Sequence, residues 1–374
     1  MKSRKFRVSV ALMACAMLLS ACSFGSKSSS KSSKSNYTTT GSAASGTYQG
    51  VIKNGRYTTS KARGVVASQN ENTFNLKSFE SGLTDISKKV FSTKSYVFQE
   101  GQYLSKSTVT NWLGRESKSN KNGLNPKKGK TNGTRNPTYI QTIEEQDYMS
   151  QNGDNLKLHG ITIGIGLNSV DYYKKTTNGP TYEQKISDAE LKAYGQQAAA
   201  KVLKRLRQKQ SLKNVPIVIA LYKQAPNDSL VGGTYIEYNV NKGNSLASWK
   251  TQNVKNKVLP KSSESTSSTS SDDNSSFDNF KTQIQSFFPN LSGVTAQAQY
   301  KDGTLSGMHI TVTTQFYSQT EITSFTQYIS TAAQKYLPSG IPIDIKIQSS
   351  TDMQAFVYRD SGMKKFSSHV FDSY

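Results

Sequence analysis

Two stretches of this chain, on either side of a serine-rich segment, carry the same ordered pattern of residues, and that repetition constrains the fold more than any other feature. The first runs through Ile161-Thr162-Ile163-Gly164-Ile165, then Ser187-Asp188-Ala189-Glu190, then Val215-Pro216-Ile217-Val218-Ile219-Ala220, and closes with Gly233-Thr234-Tyr235-Ile236-Glu237-Tyr238. The second runs through Ile310-Thr311-Val312-Thr313, Ser318-Gln319-Thr320-Glu321, Ile341-Pro342-Ile343-Asp344-Ile345-Lys346 and Gln354-Ala355-Phe356-Val357-Tyr358. Runs of β-branched and aromatic residues suit a pleated, half-buried surface. A serine followed three positions later by glutamate is a capping box, which pairs two otherwise orphaned amides at a helix start. Behind each box the apolar residues fall on one helical face, Leu191, Tyr194, Ala198 and Val202 in one copy and Ile322, Phe325, Ile329 and Ala333 in the other,.

The pattern predicts an α+β fold of two related β-α-β-β units, each a small antiparallel or mixed sheet with a helix on one face to bury its apolar side. An N-terminal α+β region is expected to pack on the first unit, with a helical stretch from Phe74 through Leu83 to Val90-Phe91 and a strand at Ser95-Tyr96-Val97-Phe98. Low-complexity segments divide the chain. Residues 22–46 read as a Ser/Lys-rich tether, 47–260 as the N-terminal domain with the first repeat, 261–276 as a serine-rich linker that cannot pack a core, and 277–374 as the C-terminal repeat domain.

Residues 1–21 read as a signal peptide. Lys2, Arg4, Lys5 and Arg7 form a basic cluster, Val8 to Leu19 an apolar run broken by Ser9, and Leu19-Ser20-Ala21-Cys22 follows. The apolar run is too short to span a bilayer stably. The last four residues resemble the lipobox of bacterial lipoproteins, in which the cysteine sulfur takes a diacylglycerol and the bond before it is cut. Cys22 is therefore the expected lipid anchor, on the outer face of the cytoplasmic membrane, and Leu12-Met13-Ala14-Cys15 is a poorer rival with a shorter apolar lead. Cys15 and Cys22 are the chain's only cysteines, so the exported part has neither disulfide nor thiolate metal site.

A formal charge of +22 invites a nucleic-acid reading in a cytoplasmic protein. Export replaces those partners with anionic lipid headgroups and phosphate-containing wall polymers, and no nucleic acid is expected. The excess lies before Ser276; the remainder is neutral,.

Catalytic signatures are absent: neither G-x-S-x-G nor H-E-x-x-H occurs. Gly164-Ile165-Gly166-Leu167-Asn168-Ser169 lacks the third glycine of a dinucleotide loop, and strand glycines under close packing explain it better. His159, His309 and His369 show no ligand spacing; the first two are expected as repeat-equivalent surface or edge residues. No cofactor and no metal are expected. Polar and aromatic residues converge from Arg135 to Tyr148. Arg135 and Asn136 suit an anion, Tyr139 a sugar or lipid headgroup, and Glu144, Glu145 or Asp147 acid–base work. The same residues also describe a structural turn, with Tyr139, Ile140 and Ile143 in the core and Arg135 paired to a glutamate. The favoured reading is a non-catalytic binding module at the cell envelope; the alternative is a wall-glycan hydrolase acting through the carboxylates near Glu144. Adjacent strand carboxylates point apart, which weighs against the second.

Three phrases are long enough to be specific: Gly123-Leu124-Asn125-Pro126, Arg135-Asn136-Pro137 through Asp147-Tyr148, and Gly160-Ile161-Thr162 through Ser169-Val170. They resemble the CamS family, lipoproteins of Gram-positive bacteria called sex-pheromone precursors, and the similarity extends from about Tyr48 to the end. The resemblance implies an α+β fold and no established activity for the domain. It also implies that a short apolar peptide cut from the end of the signal sequence is sensed as a conjugation pheromone. The matching positions are Cys15-Ala16-Met17-Leu18-Leu19-Ser20-Ala21, which depart from the family's cysteine-free, bulkier peptide.

Overall fold

The same six-stranded mixed sheet is built twice along the chain. The computed structural model describes residues 37–41, 46–65, 72–129, 135–152, 155–260, 271–287, 293–315 and 318–372. The signal peptide, its Leu19-Ser20-Ala21-Cys22 motif and most of the tether lie outside the described residues. The tether's end is not all loop: β1 (Tyr37–Thr39) pairs antiparallel with β2 (Val51–Lys53), and β2 pairs with β3 (Arg56–Tyr57).

The first sheet takes β4 (Val97–Glu100), β5 (Ile140–Asn152), β6 (Asn155–Leu167), β9 (Ile217–Lys223), β10 (Thr234–Asn241) and β11 (Lys250–Thr251), side by side in that order. The second takes β12 (Val254–Leu259), β13 (Gly293–Lys301), β14 (Thr304–Thr313), β15 (Ile343–Gln348), β16 (Met353–Arg359) and β17 (Ser367–Val370), also in that order. In both sheets only the central pair, β6/β9 and β14/β15, is parallel. A helix connects each parallel pair, as a crossover requires: α3 (Asp188–Leu206) and α5 (Gln319–Tyr336). The apolar faces predicted for them are buried, except that Tyr194 is partly covered.

Each copy also has an earlier helix on the same face, α2 (Lys106–Leu113) between β4 and β5 and α4 (Ser271–Phe287) between β12 and β13. The repeat is thus larger than β-α-β-β. It includes β4, α2 and β5, so the N-terminal region supplies strands of the first sheet as well as packing on it.

The break after residue 260 read from composition needs correction, because β12 pairs along its length with β13 of the second sheet. The serine-rich segment is likewise not all linker. Residues 261–270 lie outside the described residues, but Ser271 starts α4, whose Phe277, Phe280 and Ile284 are fully buried. Their spacing puts them on one stripe, with serines and aspartates on the solvated side.

The two copies differ in what covers the sheet's other face. In the first, α1 (Thr73–Lys88) packs Phe79, Leu83 and Ile86 against Val218, Ala220, Tyr222 and Tyr235, so helices cover both faces and β9 is buried from Ile217 to Tyr222. Asn72 caps this helix, accepting from Phe74 N at 3.0 Å. In the second, β15 alternates, burying Ile343, Ile345 and Ile347 under α4 and α5 while Asp344, Lys346 and Gln348 face outward. One helix-covered face was expected of both sheets. The first has two because its central strand is apolar on both sides.

Both parallel strands start alike. Ile161 N donates to Pro216 O and Met308 N to Pro342 O, each at 3.1 Å. A buried arginine donates to the carbonyl just before each proline, Arg207 to Val215 at 2.8 Å and Arg359 to Ile341 at 3.5 Å. That register makes Ile161 the counterpart of Met308, so His159 and His309 are not equivalent. His159 lies against Tyr96, whereas His309 Nδ1 meets Asp344 Oδ2 at 3.0 Å. The capping boxes differ too. Ser187 accepts from Glu190 N at 3.3 Å, but Ser318 makes no side-chain cap and meets Thr320 Oγ1 instead. The glycines Gly164 and Gly166 leave room for side chains: a Cβ would meet Phe79 at 2.6 Å and Thr142 at 2.9 Å.

Candidate functional site

Strand β5 carries most of the residues singled out between Arg135 and Tyr148, and its pleat sends neighbours to opposite faces. Glu144 and Gln146 point toward α1. Glu145 and Asp147 point toward the segment after β4. Arg135 and Tyr139 both precede the strand and lie elsewhere.

Arg135 is buried beside a hairpin of β7 (Val170–Lys174) and β8 (Thr181–Lys185). It pairs with Asp171, not with a glutamate, donates to Gln184 Oε1 at 3.0 Å, and lies 3.7 Å over the Tyr173 ring. Asn136 closes a turn, its N and Nδ2 each donating at 2.9 Å to the carbonyls of Lys128 and Lys127. Tyr139 stacks on Tyr194 at 3.9 Å and hydrogen-bonds Glu190. Arg135 holds β7 and β8 and Tyr139 holds α3, Asn136 fastens the preceding loop, and none of the three meets the carboxylates of β5.

Glu145 and Asp147 grip a backbone segment. Tyr103 N and Leu104 N donate to Glu145 at 3.0 and 2.7 Å, and Gln102 N donates to Asp147 at 2.9 Å. Gly101 is required at the start of this segment, since a Cβ would meet Glu145 Cβ at 2.5 Å and Glu145 O at 2.8 Å. Burial raises both carboxyls; the Glu145 charge pushes Asp147 further, well above its usual range, while the amide donors pull Glu145 partly back. No N–H group reaches the buried Asp147 Oδ1, and a proton held by Asp147 is shared with the Glu145 carboxylate beside it.

Glu144 opens instead on a cleft of about 580 Å³ between α1, β4, β5 and the segment from Tyr57 to Gly64. That size is within the range of small-molecule sites. Glu80 from α1 and Glu100 from β4 share it, with Tyr57 and Arg63 at its rim. Gln146 Nε2 donates to Glu144 Oε1 at 3.4 Å and to Thr84 Oγ1 at 3.3 Å, fixing the wall. Ser60 N donates to Glu100 at 2.6 Å.

Glu144 is only partly covered, yet protein atoms crowd it closely enough that burial pushes its carboxyl up to about 8, with Glu80 adding to the rise. Burial and then Glu100 raise Glu80 as well, against the pull of Arg63. Tyr57 is pushed up to about 12 by burial and by Glu100, to which it hydrogen-bonds. Near neutral pH the cleft therefore offers the protonated Glu144 carboxyl and a phenol as donors, beside the carboxyl oxygens of Glu80 and Glu100 as acceptors. That set suits a ligand rich in hydroxyl groups.

Of the residues singled out from sequence, the cleft brings together Glu144 and, at its edge, Glu145. Tyr57, Arg63, Glu80 and Glu100 were missed. They come from three separate segments, the stretch from Tyr57 to Gly64, α1 and β4, and no local spacing links these to Glu144.

A family model described as CamS sex pheromone cAM373 precursor matches residues 57–365. No curated protein matches the chain. A solved sex pheromone precursor from Lactobacillus salivarius subsp. salivarius UCC118 is 56% identical, covers 90% of this chain and 100% of its own, and superposes with a TM-score of 0.86. The C-terminal domain of the sex pheromone staph-cAM373 precursor from Staphylococcus aureus is 30% identical, covering 82% of this chain and 99% of its own, with a TM-score of 0.70.

Proposed function

The chain belongs to the CamS sex pheromone precursor family, and from that premise we propose that it is a lipid-anchored, non-catalytic binding module on the outer face of the cell membrane. Its anchor is the diacylglycerol on Cys22, and its ligand is a hydroxyl-rich fragment of the envelope taken up in the Glu144 cleft. The supporting observation is that cleft, with its protonated Glu144 beside Glu80 and Glu100. The surplus lysines of the first domain add a general attraction to anionic wall polymers or headgroups. The cut that exposes Cys22 also frees Cys15 to Ala21, the positions of the pheromone in the relatives so named.

Anchoring is tested by Cys22→Ala. The variant is expected in the medium or left unprocessed with its signal peptide attached, and a processed variant retained on the membrane like the parent would refute the anchor.

One observation favours a second reading, hydrolysis of wall glycan. A carboxyl that keeps its proton up to pH about 8 beside Glu80 and Glu100 is the arrangement a general acid and its partner carboxylate need. Glu144→Gln separates the readings, because glutamine keeps the donor but cannot release a proton. Binding of muropeptide fragments is expected to persist in this variant, and to fade in the parent as pH rises through about 8. A fall in wall turnover of roughly 10²-fold or more, the typical share of a general acid, would replace the binding reading with the hydrolase.

A further inference from the structure

The two domains join once, at Gln252-Asn253, where β11 of the first sheet gives way to β12 of the second. Neutral contacts hold them together. Asn256 Nδ2 donates to Gly232 O at 3.1 Å, Gln297 Nε2 to Leu230 O at 2.6 Å, and Asp302 N to Asn253 O at 2.9 Å. Between them lies a cleft of about 250 Å³, separate from the Glu144 site.

Its floor explains an otherwise costly residue. Gly82 sits in the middle of α1, where glycine costs about 1 kcal/mol relative to alanine. A Cβ there would meet Tyr235 Cδ2 at 2.8 Å, so glycine lets the ring form the bottom of the cleft.

The charges at its mouth are arranged symmetrically. The first domain contributes Asp85 in the last turn of α1 and Lys89, which caps its C-terminus, and the second contributes Lys301 and Asp302 at the β13–β14 turn. Lys89 Nζ donates to the neutral Gln252 Oε1 at 2.7 Å and lies 5.4 Å from the Tyr238 ring centre. Lys250, 5.8 Å from the same ring, adds a further positive charge on that side. Burial lowers Lys89 from the ordinary lysine range, Lys301 and Lys250 push it the same way, and Asp85 and Asp302 oppose them. Lys89 therefore feels charges from both domains. Lys88 Nζ already meets Asp85 Oδ1 at 3.3 Å, so a single anion would leave Asp302 unanswered, and a single cation the lysines.

We propose that this interdomain cleft binds a small zwitterion, an amino acid or dipeptide. Its carboxylate lies between Lys89 and Lys301, and its ammonium lies against Asp302 and against Asp85, which it shares with Lys88. The volume accommodates one or two small residues, and because each domain supplies both signs, the ligand bridges the domains.

Calorimetric titration of the intact chain with the dipeptide Ala-Ala tests this, with N-acetyl-Ala-Ala and Ala-Ala-amide as probes lacking one charge each. Ala-Ala is expected to bind. Each blocked peptide, and each of the variants Lys301→Met and Asp302→Asn, is expected to weaken binding by at least about 10-fold, the loss of one charge-assisted hydrogen bond. Both substituted residues are exposed, and unchanged melting curves would show the variants folded. No binding of Ala-Ala at millimolar concentration overturns the proposal. So does equal binding of the blocked peptides, or Ala-Ala binding that survives both substitutions.

Discussion

Arg207→Ala is expected to destabilise the first domain by about 3–5 kcal/mol, the range seen when a buried charged partner is removed and its acceptors are stranded. The guanidinium is buried at the end of α3. Its Nε donates to Gly243 O at 2.9 Å, one terminal nitrogen to Val215 O at 2.8 Å and to Leu212 O, and the other to Asn241 O at 2.8 Å. Four carbonyls, from the stretch after α3 and from the end of β10 and the loop beyond it, thus depend on one side chain. Lysine carries the charge but not the planar fork, so Arg207→Lys recovers only part of the loss. For a unit of this size the alanine variant is expected to melt roughly 10 °C below the parent. A drop of under about 2 °C in calorimetry would show that water satisfies these carbonyls as well as the arginine does.

The Glu145–Asp147 pair is expected to make the fold less stable in base than in acid. Both carboxyls sit above their ordinary values, chiefly through burial. The protonated forms are therefore favoured by the fold, and their contribution is complete below the unfolded carboxylate range, near pH 4. It is lost as pH rises through the elevated folded values, because ionisation then strands charge in the interior. Asp147→Asn keeps an acceptor for Gln102 N and a donor toward Glu145, with no proton to lose. This variant should match the parent at about pH 4 and exceed it by roughly 1–3 kcal/mol at about pH 9, the cost of an uncompensated buried group. Denaturant melts across that range measure the difference, and parallel pH profiles for the two proteins would mean the pair does not titrate with folding.

What the sequence made legible follows from how local each signal is. The helices at Ser187 and Ser318 and the strands at Pro216 and Pro342 announce themselves within a few residues, through periodicity and caps. The rest of the repeat was hidden by composition. Phe277, Phe280 and Ile284 have helical spacing, but they abut a run of serines and aspartates that reads as linker when averaged and as a solvated helix face once folded. Residues up to 260 read as part of the first domain because strand pairing is non-local, and nothing in Val254–Leu259 names its neighbour in the second sheet. The candidate site failed for the same reason. Glu144 could be singled out, but Glu80, Glu100, Tyr57 and Arg63 reach it only through the packing of α1 and the pairing of β4 with β5. The convergence inferred from adjacency between Arg135 and Glu145 dissolved because a strand sends neighbours apart.

The crossing of β12 into the second sheet has a consequence for the chain as a covalent object. Its six residues are in register with Lys301 to Ala296 of β13, while the serine-rich residues that follow lead into α4. A peptide bond broken between residues 261 and 270 would therefore sever the backbone without separating the halves. The upstream fragment would keep its last strand hydrogen-bonded inside the downstream fragment's sheet, a complementation in which the first domain donates a strand to the second.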